Sequence, residues 1–195
     1  MGAGHNFRLR IEGEFIYLAE VRPKDAGLIY KLRTSESAKL LNKHEGYSED
    51  SQKQWILTRT PDEKNYIIYN KVNSLPVGMI GIYDCDFHSG VSNCGRLLLF
   101  PWHIAQGSPF GLEALKICYG YIFNEMGFRK ISGTIAGSNT KIISLQSYLG
   151  MTQEGLLKGH ALINGQYEDL HVYSLFADGY ASYAEKIDKL LQKYR

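Results

Sequence analysis

The chain has 195 residues, of which 44% are hydrophobic and 22% charged, with a formal net charge of +2. That balance fits a single globular domain over residues 1–195 with a real core, and it excludes a disordered protein. No basic stripe or run of like charge appears, no apolar run approaches the ~20 residues that span a bilayer, and the Gly-rich start from Met1 to Asn6 lacks a signal peptide's apolar stretch. Nucleic acid and membrane are therefore not expected as partners, and residues 1–8 are expected to be flexible.

Phe15 to Val21 reads as a strand, and Pro23 suits the first turn of a helix carrying Ala26, Ile29 and Leu32. Ser48 is placed to cap a second helix around Gln52 to Thr58. Tyr66 to Val72, Leu75 to Tyr83 and Val91 to Phe100 read as three further strands, separated by a turn at Asn73-Ser74 and a loop from Asp84 to Gly90. Gly111 to Met126 is a helix with Leu112, Leu115, Tyr119, Ile122 and Met126 at helical spacing, stopped by Gly127. Lys130 to Ala136 is a short strand. Ser138 or Asn139 then caps a helix that ends at Gly150. Leu156 to Ile163 and Tyr167 to Phe176 flank Asn164-Gly165, a strong hairpin signal. Asp178 is a candidate cap for a terminal helix over 178–195. The order β-α-α-β-β-β-α-β-α-β-β-α predicts a mostly antiparallel sheet with one parallel pair.

Cys85, Cys94 and Cys118 are odd in number and share no metal-ligand spacing, so three free thiols and a cytoplasmic location are expected. Asp84, Asp86 and His88 fall in a turn without metal spacing, and no metal is expected there.

The segment from Leu97 to Leu115 carries the chemistry. A strand runs into a loop with Gly107 and Gly111 and then into a helix. Such a junction presents unpaired N–H groups and the positive end of a helix dipole, which suits phosphate oxygens. Gln106-Gly107-Ser108-Pro109-Phe110-Gly111, followed by Glu113-Ala114-Leu115, resembles the pyrophosphate loop Gln-Gly-x-Gly-x-Ala of the GNAT superfamily of N-acetyltransferases. Pro109 replaces the second family glycine and has no N–H to give. Gly137-Ser138-Asn139, Leu149-Gly150-Met151 and Glu154-Gly155 are similar to further family motifs. So are Gly165 to Leu170 with Tyr173-Ser174-Leu175, and Leu32-Arg33 with Gln52 to Trp55. These resemble the branch that includes ribosomal-protein and nucleotide-sugar acetyltransferases. The likeness covers Phe15 to Phe176.

The resemblance implies an α/β (α+β) GNAT fold: a mixed, mostly antiparallel sheet whose central parallel pair splays around coenzyme A, flanked by helices. It implies an acetyl-CoA-dependent N-acetyltransferase acting on the primary amine of a small molecule, with a nucleotide-linked amino sugar as the preferred acceptor. Protein N-terminal acetylation and a non-catalytic acyl-CoA-binding module are the alternatives, and a homodimer is left open. Gln106, Gly107, Ser108, Phe110 and Gly111 would hold the pyrophosphate, and backbone groups of Leu99 and Phe100 the pantetheine arm. Asn139 matches an asparagine that contacts that arm. The family's acidic tyrosine falls at Gln146, which cannot supply a proton, so Tyr148 is the nearest alternative. His103 is a candidate base. His44, Glu45, Tyr167 and His171 are candidate acceptor contacts, with His160 in the same closing hairpin.

Overall fold

The computed structural model describes residues 7–38, 47–60, 62–105 and 107–195. One eight-stranded sheet carries the chain: β1 (Arg10–Glu12), β2 (Ile16–Glu20), β3 (Lys64–Asn70), β4 (Pro76–Asp86), β5 (Val91–Leu99), β6 (Lys130–Ala136), β7 (Thr152–Ile163) and β8 (Gln166–Phe176). Their order is β1-β2-β3-β4-β5-β6-β8-β7. Every neighbouring pair is antiparallel except β5 and β6, which run parallel.

Two layers of helix cover the sheet. On one face, α1 (Ala26–Thr34) and α2 (Glu49–Leu57) bury Ile29, Leu32 and Ile56 against Ile67, Met79 and Leu98. A short α3 (Pro101–Ala105) follows β5 and occupies what reads as loop. On the other face, α4 (Phe110–Gly120), α5 (Thr140–Leu149) and α6 (Tyr180–Leu191) bury Ala114, Cys118, Leu149, Tyr183 and Ile187 against Ile80, Ile82, Cys94 and Ile131. Ser48 accepts the Ser51 N–H as the cap of α2. Gly150 ends α5 at φ 106°, a left-handed angle that glycine adopts without a Cβ penalty. The β7–β8 turn holds Asn164 at φ 51° and Gly165 at φ 79°, the two positive angles a two-residue hairpin of this hand requires.

Several sequence expectations are corrected. β1 is an unpredicted strand of three residues. β3 begins two residues before Tyr66 and ends at Asn70. β4 runs on through Asp84 to Asp86, because Asp86 still pairs with Val91 across the hairpin. β7 begins at Thr152 because its polar start pairs with Ser174 on an edge strand, where no apolar pattern is required. The helix after α4 continues as a π turn from Tyr121 to Glu125 that buries Tyr121, Ile122 and Phe123 together. Asp178 lies inside a 3-10 turn, and Gly179 holds the cap position of α6.

Candidate active site

The parallel β5–β6 ladder lasts for only three pairs, Val91↔Lys130, Ser92↔Ile131 and Asn93↔Ser132. Beyond them the strands separate. One extra residue on β5 sits between the pairs Gly81↔Gly95 and Met79↔Leu98, a β-bulge in which Arg96 takes φ 53°. A cavity of about 200 Å³ opens in the gap. It is lined by Cys94 to Leu97 of β5, Gly133 to Ala136 of β6, Leu115 and Tyr119 of α4, and Asn139, Ile142 and Gln146 of α5, with Met151 and Tyr173.

The backbone at the end of β5 divides between two partners. Phe100 donates its N–H to Val77 O at 3.0 Å, and its carbonyl accepts the His103 N–H. The N–H of Phe100 is thus committed inside the protein, while its carbonyl keeps a second lone pair. Antiparallel pairing alternates, so Leu99, opposite Gly78, turns its N–H and C=O away from β4 toward the open side.

The loop from Gly107 to Pro109 leads into α4. Gly107 sits at φ 64°, and an added Cβ there would meet only the Tyr194 hydroxyl at 3.7 Å. Its own N–H goes to Ile104 O and the Ser108 N–H to His103 O, both at 3.1 Å. The first helical bond of α4 is Glu113 N–H to Pro109 O, so Phe110, Gly111 and Leu112 precede it with N–H groups at the helix's positive end. Ser108 Oγ is buried with no hydrogen-bond partner. The Tyr194 hydroxyl, from the end of the chain, donates to Gly107 O. Glu113 is buried and accepts the N–H groups of Glu14, Phe15 and Ile16, the last two at 2.8 and 2.9 Å. Burial raises its carboxyl above its ordinary value against the pull of those bonds.

Asn139 holds the cap position of α5 without a side-chain capping bond, and it lines the cavity. Further along the same helix, Gln146 is buried in the wall and its Oε1 accepts the Tyr183 hydroxyl at 3.1 Å. Tyr183 stacks on Tyr119 with ring centroids 5.1 Å apart, and burial pushes both phenols upward. Tyr173, also buried in the wall, has its hydroxyl 3.2 Å from Ser147 Oγ and donates to Gln153 Oε1 at 3.3 Å. His171 Nδ1 lies 3.3 Å from the same oxygen.

The other sequence candidates fall elsewhere. Tyr148 is exposed, packs beneath Lys186 of α6 and is absent from the cavity wall, because two steps along a helix from Gln146 turn it to another face. His103 lies on α3, edge-on to Phe110 at 5.2 Å and outside the wall, with burial lowering its pKa. Tyr167 is exposed at the hairpin tip, and His160 is exposed where β7 shifts register. Gln106, His44 and Glu45 lie outside the described residues. Sequence reading missed Tyr173 and Tyr183 as parts of the site. The first pairs with Gly133 in the β6–β8 register, and the second reads only as one more apolar-face position of a terminal helix.

Residues 16–152 match the family model described as the acetyltransferase (GNAT) domain, and the chain belongs to that family. It is 25% identical over 158 residues, 80% of this chain and 87% of the relative, to an uncharacterized SPbeta prophage-derived N-acetyltransferase, YokL, from Bacillus subtilis (strain 168). Among solved structures it is similar to a GCN5-related N-acetyltransferase from Brucella melitensis, with TM-score 0.79, 16% identity, and 97% of this chain and 88% of that one covered. It is also similar to a mutant of the spermidine N-acetyltransferase SpeG from Vibrio cholerae, with TM-score 0.75, 17% identity and coverage of 87% and 98%. The protein is therefore an acyltransferase of the GNAT type, a family that uses acetyl-CoA as co-substrate. The residues present fit that co-substrate: the partnerless Ser108 hydroxyl sits in the loop before α4, and the unladdered edge of β5 opens on the cavity.

Proposed function

We propose that the chain acetylates the primary amine of a small molecule, with a nucleotide-linked amino sugar as the preferred acceptor. The observation that carries this reading is the cavity between β5 and β6, walled by Asn139, Gln146 and Tyr173, with Leu97 of the same wall standing beside Gly111 at the start of α4. When bound, acetyl-CoA supplies the activated acyl group. The Ser108 hydroxyl and the N–H groups of Phe110 and Gly111 would hold its phosphates, with Gly107 letting them approach where no Cβ intrudes, Leu99 would hold its arm through the open backbone groups, and Asn139 the arm's far side.

As the C–N bond forms and the C–S bond breaks, the attacking nitrogen gives up a proton to water and the departing sulfur takes one, a transfer that a positioned acid speeds. Gln146 is a carboxamide and cannot act as that acid. Tyr173 carries a hydroxyl suited to donate that proton. It stands in the wall, and its contact with Ser147, an exposed residue of α5, gives it a route to recover a proton. His44 and Glu45, between α1 and α2, remain candidates for contact with the amine. SpeG acts on spermidine, but a likeness at 17% identity carries the fold alone.

The deciding experiment measures release of free CoA from acetyl-CoA across a panel of amines. Turnover with an amino sugar nucleotide supports the reading. Saturable CoA binding with no turnover on any amine would favour the non-catalytic acyl-CoA-binding module.

A further inference from the structure

Three arginines stand on the α1–α2 side of the sheet: Arg59 and Arg96 both approach Trp55, Arg33 stands on α1 at Tyr47, and Arg96 also lines the cavity. Arg96 leaves the β5 bulge toward α2, where its Nη1 reaches Glu63 at 3.0 Å and Asn65 at 3.1 Å. It lies 4.1 Å from the Tyr83 ring centroid and 5.7 Å from that of Trp55. Arg59 approaches Trp55 at 5.8 Å, donates to the carbonyls of Ile56 and Val21, and keeps Nη1 buried with no partner. Arg33, on α1, lies over the Tyr47 ring at 5.2 Å. Arg96 repels both of the others, Glu63 and Glu20 attract Arg59, and burial first and that repulsion second lower the pKa of Arg33.

Among the described residues, the carboxylates at ion-pair distance meet only one of these three charges. Glu63 pairs with Arg96 and Glu20 with Lys64, and among the described residues neither Arg33 nor Arg59 has a carboxylate at ion-pair distance. Half-buried guanidiniums that repel one another, with a donor left over, carry a cost that a bound oxyanion relieves. A guanidinium also presents a planar fork that matches phosphate or carboxylate oxygens. Arg96 is shared between this cluster and the cavity wall, so the two sites adjoin.

We infer that Arg33, Arg59 and Arg96 form an oxyanion site that selects acceptors carrying a phosphate or carboxylate on the same molecule as the reacting amine. The amine enters the cavity and the anionic group rests between α1, α2 and β5. This deepens the acetyltransferase reading and rests on it only for the placement of the amine. A polycationic amine is disfavoured by the same charges.

The experiment has two arms. In the first, inorganic pyrophosphate is titrated into the full-length protein already saturated with CoA, so that the loop before α4 is filled and a further anion reports on the arginines. Saturable binding is expected, weakened at least tenfold by Arg33→Ala and partly restored by Arg33→Lys, with melting temperature followed for each variant. No binding to the CoA-loaded protein, or equal affinity in a folded Arg33→Ala, overturns the proposal. If Arg33→Ala fails to fold, Arg33→Lys and Arg33→Gln decide: equal affinity in both overturns it. In the second arm, kcat/KM is compared for glucosamine, glucosamine 6-phosphate, the carboxylate-bearing muramic acid, and spermidine. At least a tenfold preference for one anionic acceptor over glucosamine supports the proposal and tells phosphate from carboxylate. Preference for glucosamine or spermidine overturns it. If no amine is acetylated, the acetyltransferase reading fails, and the pyrophosphate titration alone decides the anion site.

Discussion

Tyr183 donates its hydroxyl to Gln146 Oε1 across 3.1 Å, and through that bond the terminal helix reaches the wall of the cavity between β5 and β6. Gln146 stands where the family resemblance leads one to expect an acidic tyrosine. Here the carboxamide is held instead by a phenol from behind, one that is fully buried and stacked on Tyr119. Tyr183→Phe keeps the ring and its stacking but leaves a buried carbonyl oxygen without its donor. The expected cost is about 1–3 kcal/mol of stability, read as a lower midpoint in urea at unchanged slope. An unchanged midpoint would show that the bond contributes nothing.

Glu113 is a second buried polar anchor. Its carboxylate gathers three successive N–H groups at Glu14, Phe15 and Ile16, tying the β1–β2 turn to α4, just past the Gly107–Pro109 loop. The turn is close-packed: a Cβ on Gly13 would come within 2.9 Å of that carboxylate. Glu113→Gln puts an amide donor where one of the three donors points, so at least one backbone N–H loses its partner. A loss of about 1–3 kcal/mol follows, with Glu113→Ala the larger. Thermal melting of both variants checks the order, and equal melting temperatures for Glu113→Gln and wild type would overturn the assignment.

The Glu-Ala-Leu segment shows how far the sequence could be read. Its helical spacing and the preceding glycines are local signals, and they correctly locate α4 and its loop. The partners of Glu113 lie 97 to 99 residues away in a turn with no distinctive composition. Asn164-Gly165, Ser48 and Gly150 were legible for the same reason, since each sets its own backbone. Tyr173 and Arg96 were not, because their roles depend on a strand register and on a bulge, and neither leaves a mark at a single position. Phe100 turned on a matter of parity: one step along a strand decides whether an N–H faces β4 or the gap.

His103 is expected to be neutral at physiological pH. Burial lowers its pKa from the ordinary value of 6.5. Because the folded value lies below the unfolded one, the unfolded chain binds the extra proton first. The stability linked to this group is complete above about pH 6.5 and falls as pH drops through the folded value. Titration of the His103 ring signals by NMR should give a midpoint below 6.5, and His103→Gln should flatten the stability profile in that window. A midpoint at or above 6.5 contradicts the expectation.

Gly107→Asp tests the loop. The residue sits at φ 64°, which aspartate tolerates better than most side chains, and only the Tyr194 hydroxyl lies near an added Cβ. The variant should therefore fold while placing a carboxylate against the proposed phosphate position. CoA affinity is expected to drop at least tenfold, about 1.4 kcal/mol. Calorimetry with unchanged affinity in the folded variant would move the phosphates elsewhere.

Tyr173→Phe tests the chemistry. The ring is buried in the cavity wall and its packing survives the change, so CoA affinity should stay the same. The hydroxyl's contact with Ser147 and its bond to Gln153 are lost, and with them the proton proposed for the departing sulfur. General acids of this kind contribute roughly 10²–10⁴-fold, so kcat with the best acceptor amine should fall by at least about 10²-fold. A donor that acts only in the transition state lowers kcat and kcat/KM together and leaves ground-state binding alone. Loss of packing would instead appear as weaker CoA binding and a lower melting temperature. Ser147→Ala separates the two further, since it keeps Tyr173 and its bond to Gln153 and removes only the Ser147 contact, and a smaller drop in kcat is expected. Wild-type turnover in Tyr173→Phe would exclude this hydroxyl as the acid and leave Tyr119, the other tyrosine of the wall, as the next to replace.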